Sequence, residues 1–136
     1  MSWTVELEEL ERRKEYSLRM GGPGKIKRQH DAGKLDIRQR VERLVDGGSF
    51  LEVGGLAGSG EYDEHGRLTN VVPSNVIMGR ATLDRKNVVV VGDDFTVRGG
   101  ANDGAVGDKM MFAEQMAFDL RIPLVRLIDG TGGGGS

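Results

Sequence analysis

The groups in this chain best suited to chemistry are backbone amides. Leu127-Ile128-Asp129 leads into Gly130-Thr131-Gly132-Gly133-Gly134-Gly135-Ser136. Consecutive glycines leave their N–H groups uncovered, and two such donors can turn onto one oxygen, as an oxyanion site requires. Two other readings compete for the tract. Gly-Gly-Gly-Gly-Ser is also the unit of a flexible linker. Gly130, Gly132 and Gly135 also satisfy G-x-G-x-x-G, but any glycine run contains that spacing, and no later acidic residue is present to read a ribose.

A second candidate is Asp93-Asp94-Phe95-Thr96-Val97-Arg98-Gly99-Gly100-Ala101. Its Gly99-Gly100 pair suits close approach of a substrate to the backbone, or a plain left-handed turn. Asp93 and Asp94 are available as acid or base, or as a solvated cap on a strand end. A third candidate is the basic stretch with Lys25, Lys27, Arg28, Lys34, Arg38 and Arg40. Such a patch holds the phosphates of a nucleotide-like ligand, or is simply a solvated face paired with acids.

The elements that must position these groups are legible in outline. Thr4 to Met20 reads as a charged helix, with acids at its start and bases at its end, as the helix dipole favours. Gly21-Gly22-Pro23-Gly24 breaks it. A second helix is expected from Asp36, where Gln39 completes a capping box. Ile37, Val41, Leu44 and Val45 then fall on one face. Phe50 to Val53 is a short strand candidate, and the Gly-rich Gly54 to Asn70 is expected to be a surface loop. Asn75 to Leu83 and Asn87 to Gly92 form a hairpin around Asp84-Arg85-Lys86. Val88-Val89-Val90-Val91 is apolar on both faces and predicts a central, doubly covered strand. Asp108 to Leu120 reads as a helix apolar nearly all round, hence buried. Leu124 to Ile128 is a further strand. Strand–strand–helix–strand order gives an α/β layer arrangement.

Composition narrows the function classes. The chain has 136 residues, enough for one domain or a piece of one. Net charge is −2 and the isoelectric point near 5.7, which argues against nucleic acid as the main partner. With no cysteine, disulfides, thiol chemistry and Cys-based zinc sites are excluded. His30 and His65 stand far apart in polar stretches, so no metal site is expected. No apolar run approaches the ~20 residues that span a bilayer. Met1 to Lys14 lacks the apolar centre of a signal peptide and carries the acids that presequences avoid. A cytoplasmic protein without membrane attachment is therefore expected.

Three segments, in this order, resemble the carboxyltransferase family, the β subunits of propionyl-CoA and methylcrotonyl-CoA carboxylases and their relatives. The run from Gln29-His30-Asp31-Ala32-Gly33-Lys34 through Asp46-Gly47-Gly48-Ser49-Phe50-Leu51-Glu52 is similar to the family's opening segment. Gly92-Asp93-Asp94-Phe95-Thr96-Val97-Arg98-Gly99-Gly100 is similar to its first Gly-Gly loop. Leu127-Ile128-Asp129 followed by Gly132-Gly133 is similar to its Asp-Ser-Gly-Gly turn. The resemblance covers the chain from about Lys25 onward. Residues 1–24 read as a charged helix and linker, and the resemblance implies residues 25–136 as the first part of an acyl-CoA carboxyltransferase domain.

The fold implied is α/β and crotonase-like, a superhelix of β-β-α units, here cut short. The reaction implied moves a carboxyl group from carboxybiotin, carried on a partner, to the α-carbon of an acyl-CoA. Gly132 and Gly133 become the implied donors to the enolate oxygen. The usual Ser after the Asp is replaced by Gly130-Thr131, so a register shift would move the donor pair to Gly133 and Gly134. Gly99, Gly100 and Ala101 would border the acyl-CoA, with Lys25, Arg28, Lys34 and Arg38 as neighbours of its phosphates. Implied partners are a biotin carboxylase or biotin carrier and further carboxyltransferase subunits. The family's biotin-gripping loop is not in this chain, so the chain is expected to be inactive alone. Alternatives are an acyl-CoA decarboxylase subunit of the same fold and a non-catalytic CoA- or nucleotide-binding module.

Overall fold

The computed structural model describes residues 2–101 and 108–130. Helix α1 spans Thr4–Leu18, and Arg13 pairs with Glu9 one turn earlier at 2.6 Å. Gly22 turns the chain at φ 94°, and Pro23 starts α2, Pro23–Asp31. Proline suits a first helical position because its missing N–H would have no partner there. The sequence reading left this stretch unassigned, and the Gly-Pro pair was the available signal. Helix α3 follows over Ile37–Leu44. Its capping box forms as read: the Gln39 N–H donates to Asp36 Oδ1 at 3.0 Å, and the Asp36 N–H donates to Gln39 Oε1 at 3.2 Å.

Strand β1 is Leu51–Val53. The expected surface loop that follows is instead largely a two-stranded hairpin, β2 (Gly58–Tyr62) with β3 (Leu68–Pro73). Every residue of β2 is exposed, so it carries no in–out alternation to betray a strand. On β3, Leu68 and Val71 are buried, and α1 lies against this strand, with the Tyr16 hydroxyl donating to Thr69 O at 2.8 Å.

Strands β4 (Val76–Leu83) and β5 (Lys86–Asp93) form the predicted hairpin. Its two-residue turn puts Asp84 and Arg85 at φ 49° and 66°, the sign pattern of a type I′ turn. The Asp46 carboxylate accepts both turn amides, at 3.1 and 2.8 Å, so the end of α3 grips the hairpin. A short 3₁₀ turn covers Arg98–Gly100. Helix α4 is Asp108–Leu120, and β6 is Leu124–Leu127. The main sheet runs β1-β4-β5-β6, with β5 and β6 parallel across α4.

Strand β5 is therefore central, and its valines divide by parity. Val88 and Val90 face Ile37, Val41 and Met20. Val89 and Val91 face Ala113 and Ala117 of α4. These two packed faces make a helix–sheet–helix sandwich. The small Ala113 and Ala117 let α4 sit close to the sheet, and Ala113 is fully buried. The expectation that α4 is buried all round needs correction. Met111, Phe112 and Phe118 stand 66–79% exposed on its outer side. One apolar stripe covers the sheet, and the second apolar stripe has no described residue over it.

Candidate functional site

Parallel strands β5 and β6 end side by side, and α/β sheets bind ligands at such carboxyl ends. Beyond β5 the chain makes a tight, well-anchored loop. The Asp94 N–H donates to Asn75 O at 2.7 Å. The Asp94 side chain, 1% exposed, accepts from the Thr96 N–H and hydroxyl at 2.9 and 2.6 Å. Burial pushes the Asp94 carboxyl up from the ordinary aspartate range; the Thr96 hydrogen bonds oppose this, and nearby Asp36 adds to it. The Thr96 hydroxyl oxygen also accepts the Gly21 N–H at 2.9 Å, which ties the loop to the α1–α2 junction. Asp94 thus serves as an internal anchor rather than a solvated cap.

The two glycine turns meet. Gly100 has φ +64°, and a Cβ there would lie 2.6 Å from Asp129 O and 3.1 Å from Gly130 Cα. No side chain fits at that contact. The Asp129 N–H donates to Asp93 Oδ2 at 3.1 Å. Asp129 Oδ2 lies 3.4 Å from Gln29 Nε2 and 3.8 Å from Arg40 Nη1. The end of β6 is therefore held from β5, α2 and α3 together.

Beside this junction opens a cleft of about 380 Å³ lined by Lys25, Arg28, Gln29, Ala32, Lys34, Phe95, Thr96, Arg98 and Gly99. Helix α2 supplies Lys25, Arg28 and Gln29, and its C-cap Ala32 continues the same face at the three- and four-residue spacing of a helix. Lys34 sits over the Phe95 ring at 5.5 Å. Neither Lys25 nor Arg28 forms an ion pair with a described residue, and both line the cleft.

Of the residues singled out from sequence, Lys25, Arg28, Lys34 and Gly99 come together on this cleft. Gly100 stands at the junction with β6, and the Ala101 carbonyl accepts from Asn75 Nδ2. Arg38 is not among the residues lining the cleft. Its guanidinium is engaged by Glu52 through two hydrogen bonds of 2.9 and 3.2 Å. Lys109 lies in the same electrostatic neighbourhood, where burial lowers its pKa, and its Nζ donates to Gly54 O at 3.0 Å. Gly132, Gly133 and Gly134 lie outside the described residues. Sequence reading missed Gln29, Phe95, Thr96 and Arg98 as cleft residues. Recognising α2 from Pro23 would have placed Gln29 beside Arg28. Among the described residues no group of acids and histidines could hold a metal ion, and no helix is long and apolar enough to cross a membrane.

An α/β sheet with a cationic cleft and facing glycine turns at parallel strand ends is a scaffold for binding anionic ligands. Residues 28–135 match the carboxyl transferase domain family, and the chain belongs to it. The β5 subunit of a biotin-dependent acetyl-/propionyl-coenzyme A carboxylase from Mycobacterium tuberculosis is 31% identical over 127 residues, covering 93% of this chain and 23% of that protein. The mitochondrial propionyl-CoA carboxylase β chain of Rattus norvegicus is 33% identical over 133 residues, covering 92% and 24%. The chain thus spans about a quarter of the length of these curated relatives. Among solved structures, transcarboxylase 12S with methylmalonyl-coenzyme A and methylmalonic acid bound, described as a hexamer assembly, superposes with a TM-score of 0.82. It is 25% identical and covers 98% of this chain and 26% of its own. The fold is the α/β, crotonase-like one of the carboxyltransferases.

Proposed function

We propose that this chain builds the acyl-CoA side of a carboxyltransferase. The observation that carries the reading is the gathering of Lys25, Arg28, Lys34 and Gly99 on one cleft next to the Gly100–Gly130 contact. Cations on the cleft suit the phosphates of coenzyme A. The neighbouring strand end suits the thioester. Removing the α-proton leaves an enolate whose charge sits on the thioester oxygen, and preorganised amides stabilise it. Gly132 and Gly133, or Gly133 and Gly134, are the donors that the family resemblance assigns. Carboxybiotin on a carrier protein supplies the carboxyl group, and no described residue is assigned to hold it. Arg38 has a structural duty toward Glu52 and is dropped from the phosphate set. A biotin carboxylase or carrier and further carboxyltransferase subunits are the proposed partners, in line with the names of the relatives and the hexamer described for transcarboxylase 12S.

Calorimetric titration with coenzyme A tests the cleft. The chain should bind, and Lys25→Ala with Arg28→Ala should weaken binding about tenfold or more while flattening its salt dependence. Unchanged affinity in that double variant would refute the cleft. Transfer from carboxybiotin to propionyl-CoA by the natural-length subunit then separates a carboxyltransferase from a binding module.

A further inference from the structure

Gln29 is a buried glutamine whose amide nitrogen is engaged and whose amide oxygen has no partner among the described residues. It lines the cationic cleft and is only 7% exposed. Its Nε2 donates to Leu35 O at 2.9 Å and reaches Asp129 Oδ2 at 3.4 Å. Both neighbours are acceptors, which fixes the nitrogen on that side. The Oε1 atom is consequently turned elsewhere, and it is buried with no hydrogen-bond partner among the described residues. A buried amide oxygen without a donor is costly, and native structures keep such groups where a partner arrives or a function needs them. The adjacent Arg28 and, three residues on, the C-cap Ala32 line the same cleft.

We propose that Gln29 is a positioning residue that couples ligand in the cleft to the end of β6: its amide nitrogen steadies Asp129, and its amide oxygen accepts from an N–H or O–H brought by the ligand. This rests on the cleft being the acyl-CoA site. Coenzyme A carries both amide N–H and hydroxyl groups, so the donor class is present in the proposed substrate. Asp129 leads directly into Gly130, which packs on Gly100. Satisfying Oε1 fixes the Gln29 side chain and with it the carboxylate it holds. Arg40 holds the same oxygen from α3, so losing Gln29 loosens the strand end without freeing it.

Hydrogen exchange on the natural-length subunit, with and without coenzyme A, tests this, together with steady-state kinetics. In the parent protein, peptides covering Leu124–Gly130 should gain at least threefold protection on adding coenzyme A. In Gln29→Met, which keeps the volume and lacks both polar atoms, that gain should vanish. Its kcat should fall at least tenfold, with coenzyme A affinity changed less than about fivefold. If Gln29→Met does not fold, Gln29→Asn keeps an amide withdrawn by one methylene and should show the same split. A parent protein in which coenzyme A protects neither α2 nor β6 overturns the site reading and this proposal with it, and one protected over α2 but not β6 overturns the coupling alone. A responsive parent with an equally responsive, fully active variant overturns Gln29 alone. A variant that loses affinity and kcat in parallel, with protection lost throughout α2, also overturns it, because the side chain is then only structural.

Discussion

Replacing Gly100 by alanine isolates the contact between the two glycine turns. Gly100 sits at φ +64°, a conformation that costs a residue with a side chain about 1–2 kcal/mol. The new methyl would also lie 2.6 Å from Asp129 O, where ordinary contact begins near 3.4 Å. The obstacle is backbone, so no rotamer relieves it, and the turns must part by about 0.8 Å. Forced overpacking of this kind adds about 1–3 kcal/mol. The combined loss of stability is thus about 2–5 kcal/mol. A displacement near 1 Å beside the reacting atoms costs about a hundredfold in rate. Gly66→Ala is the matched control. It has φ +75° with nothing within 4 Å of its Cβ direction, so only the conformational cost of about 1–2 kcal/mol applies. Urea melts and carboxyl-transfer rates of both variants in the natural-length subunit give the comparison. Gly100→Ala with no more destabilisation than Gly66→Ala and transfer within twofold of the parent would refute the reasoning.

Asp94 makes stability depend on pH in a defined direction. Its folded pKa stands above the ordinary 3.8, so the folded state holds a proton that the unfolded chain has released. That contribution is complete below the unfolded value and disappears as pH rises through the raised folded value. Urea midpoints from about pH 4 upward should therefore fall less in Asp94→Asn than in the parent. The two sides of α4 should respond oppositely to substitution. Ala113→Leu, at a position with no exposure, should cost about 1–3 kcal/mol. Phe118→Gln, at 79% exposure, should shift the chain's melt by less than about 0.5 kcal/mol.

The sequence was most readable where local chemistry and packing agree. The Asp36–Gln39 box, the hairpin around Asp84-Arg85-Lys86, with Lys86 in fact paired as a strand residue, and the four-valine core of β5 each carry a short-range signature. Helix α2 was missed because four of its nine residues are charged and Ile26 alone of its residues packs on the core, so no apolar period announces it. The β2–β3 hairpin was missed because β2 is exposed throughout and its ordering comes from β3 and from α1 across the sequence. Composition also misled at α4, where an apolar surface was taken for a covered one. At the site, the basic stretch was visible in the sequence, but whether its cations face a ligand or pair with acids was not, and only the family resemblance singled out Lys25, Arg28 and Lys34. Arg38 looked equivalent on the page. Only the fold reveals that Glu52, fourteen residues on, claims its guanidinium. Gln29 carried no charge to draw notice, and its burial and its contacts with Leu35 and Asp129 appear only in the fold.

The way α1 is seated has a consequence for how the molecule comes apart. The helix leans on β3 through Tyr16, and Arg13 reaches the Tyr62 hydroxyl at 2.9 Å, while the valine core belongs to other elements. Such a unit can detach at lower cost than the whole fold, because opening it breaks few buried contacts. The cleft is then walled by parts of unequal permanence. The loop that bears Thr96 follows strand β5, whose valines are buried, whereas the Gly21 hydrogen bond to Thr96 comes from the chain just after α1, the segment with fewer buried contacts to lose.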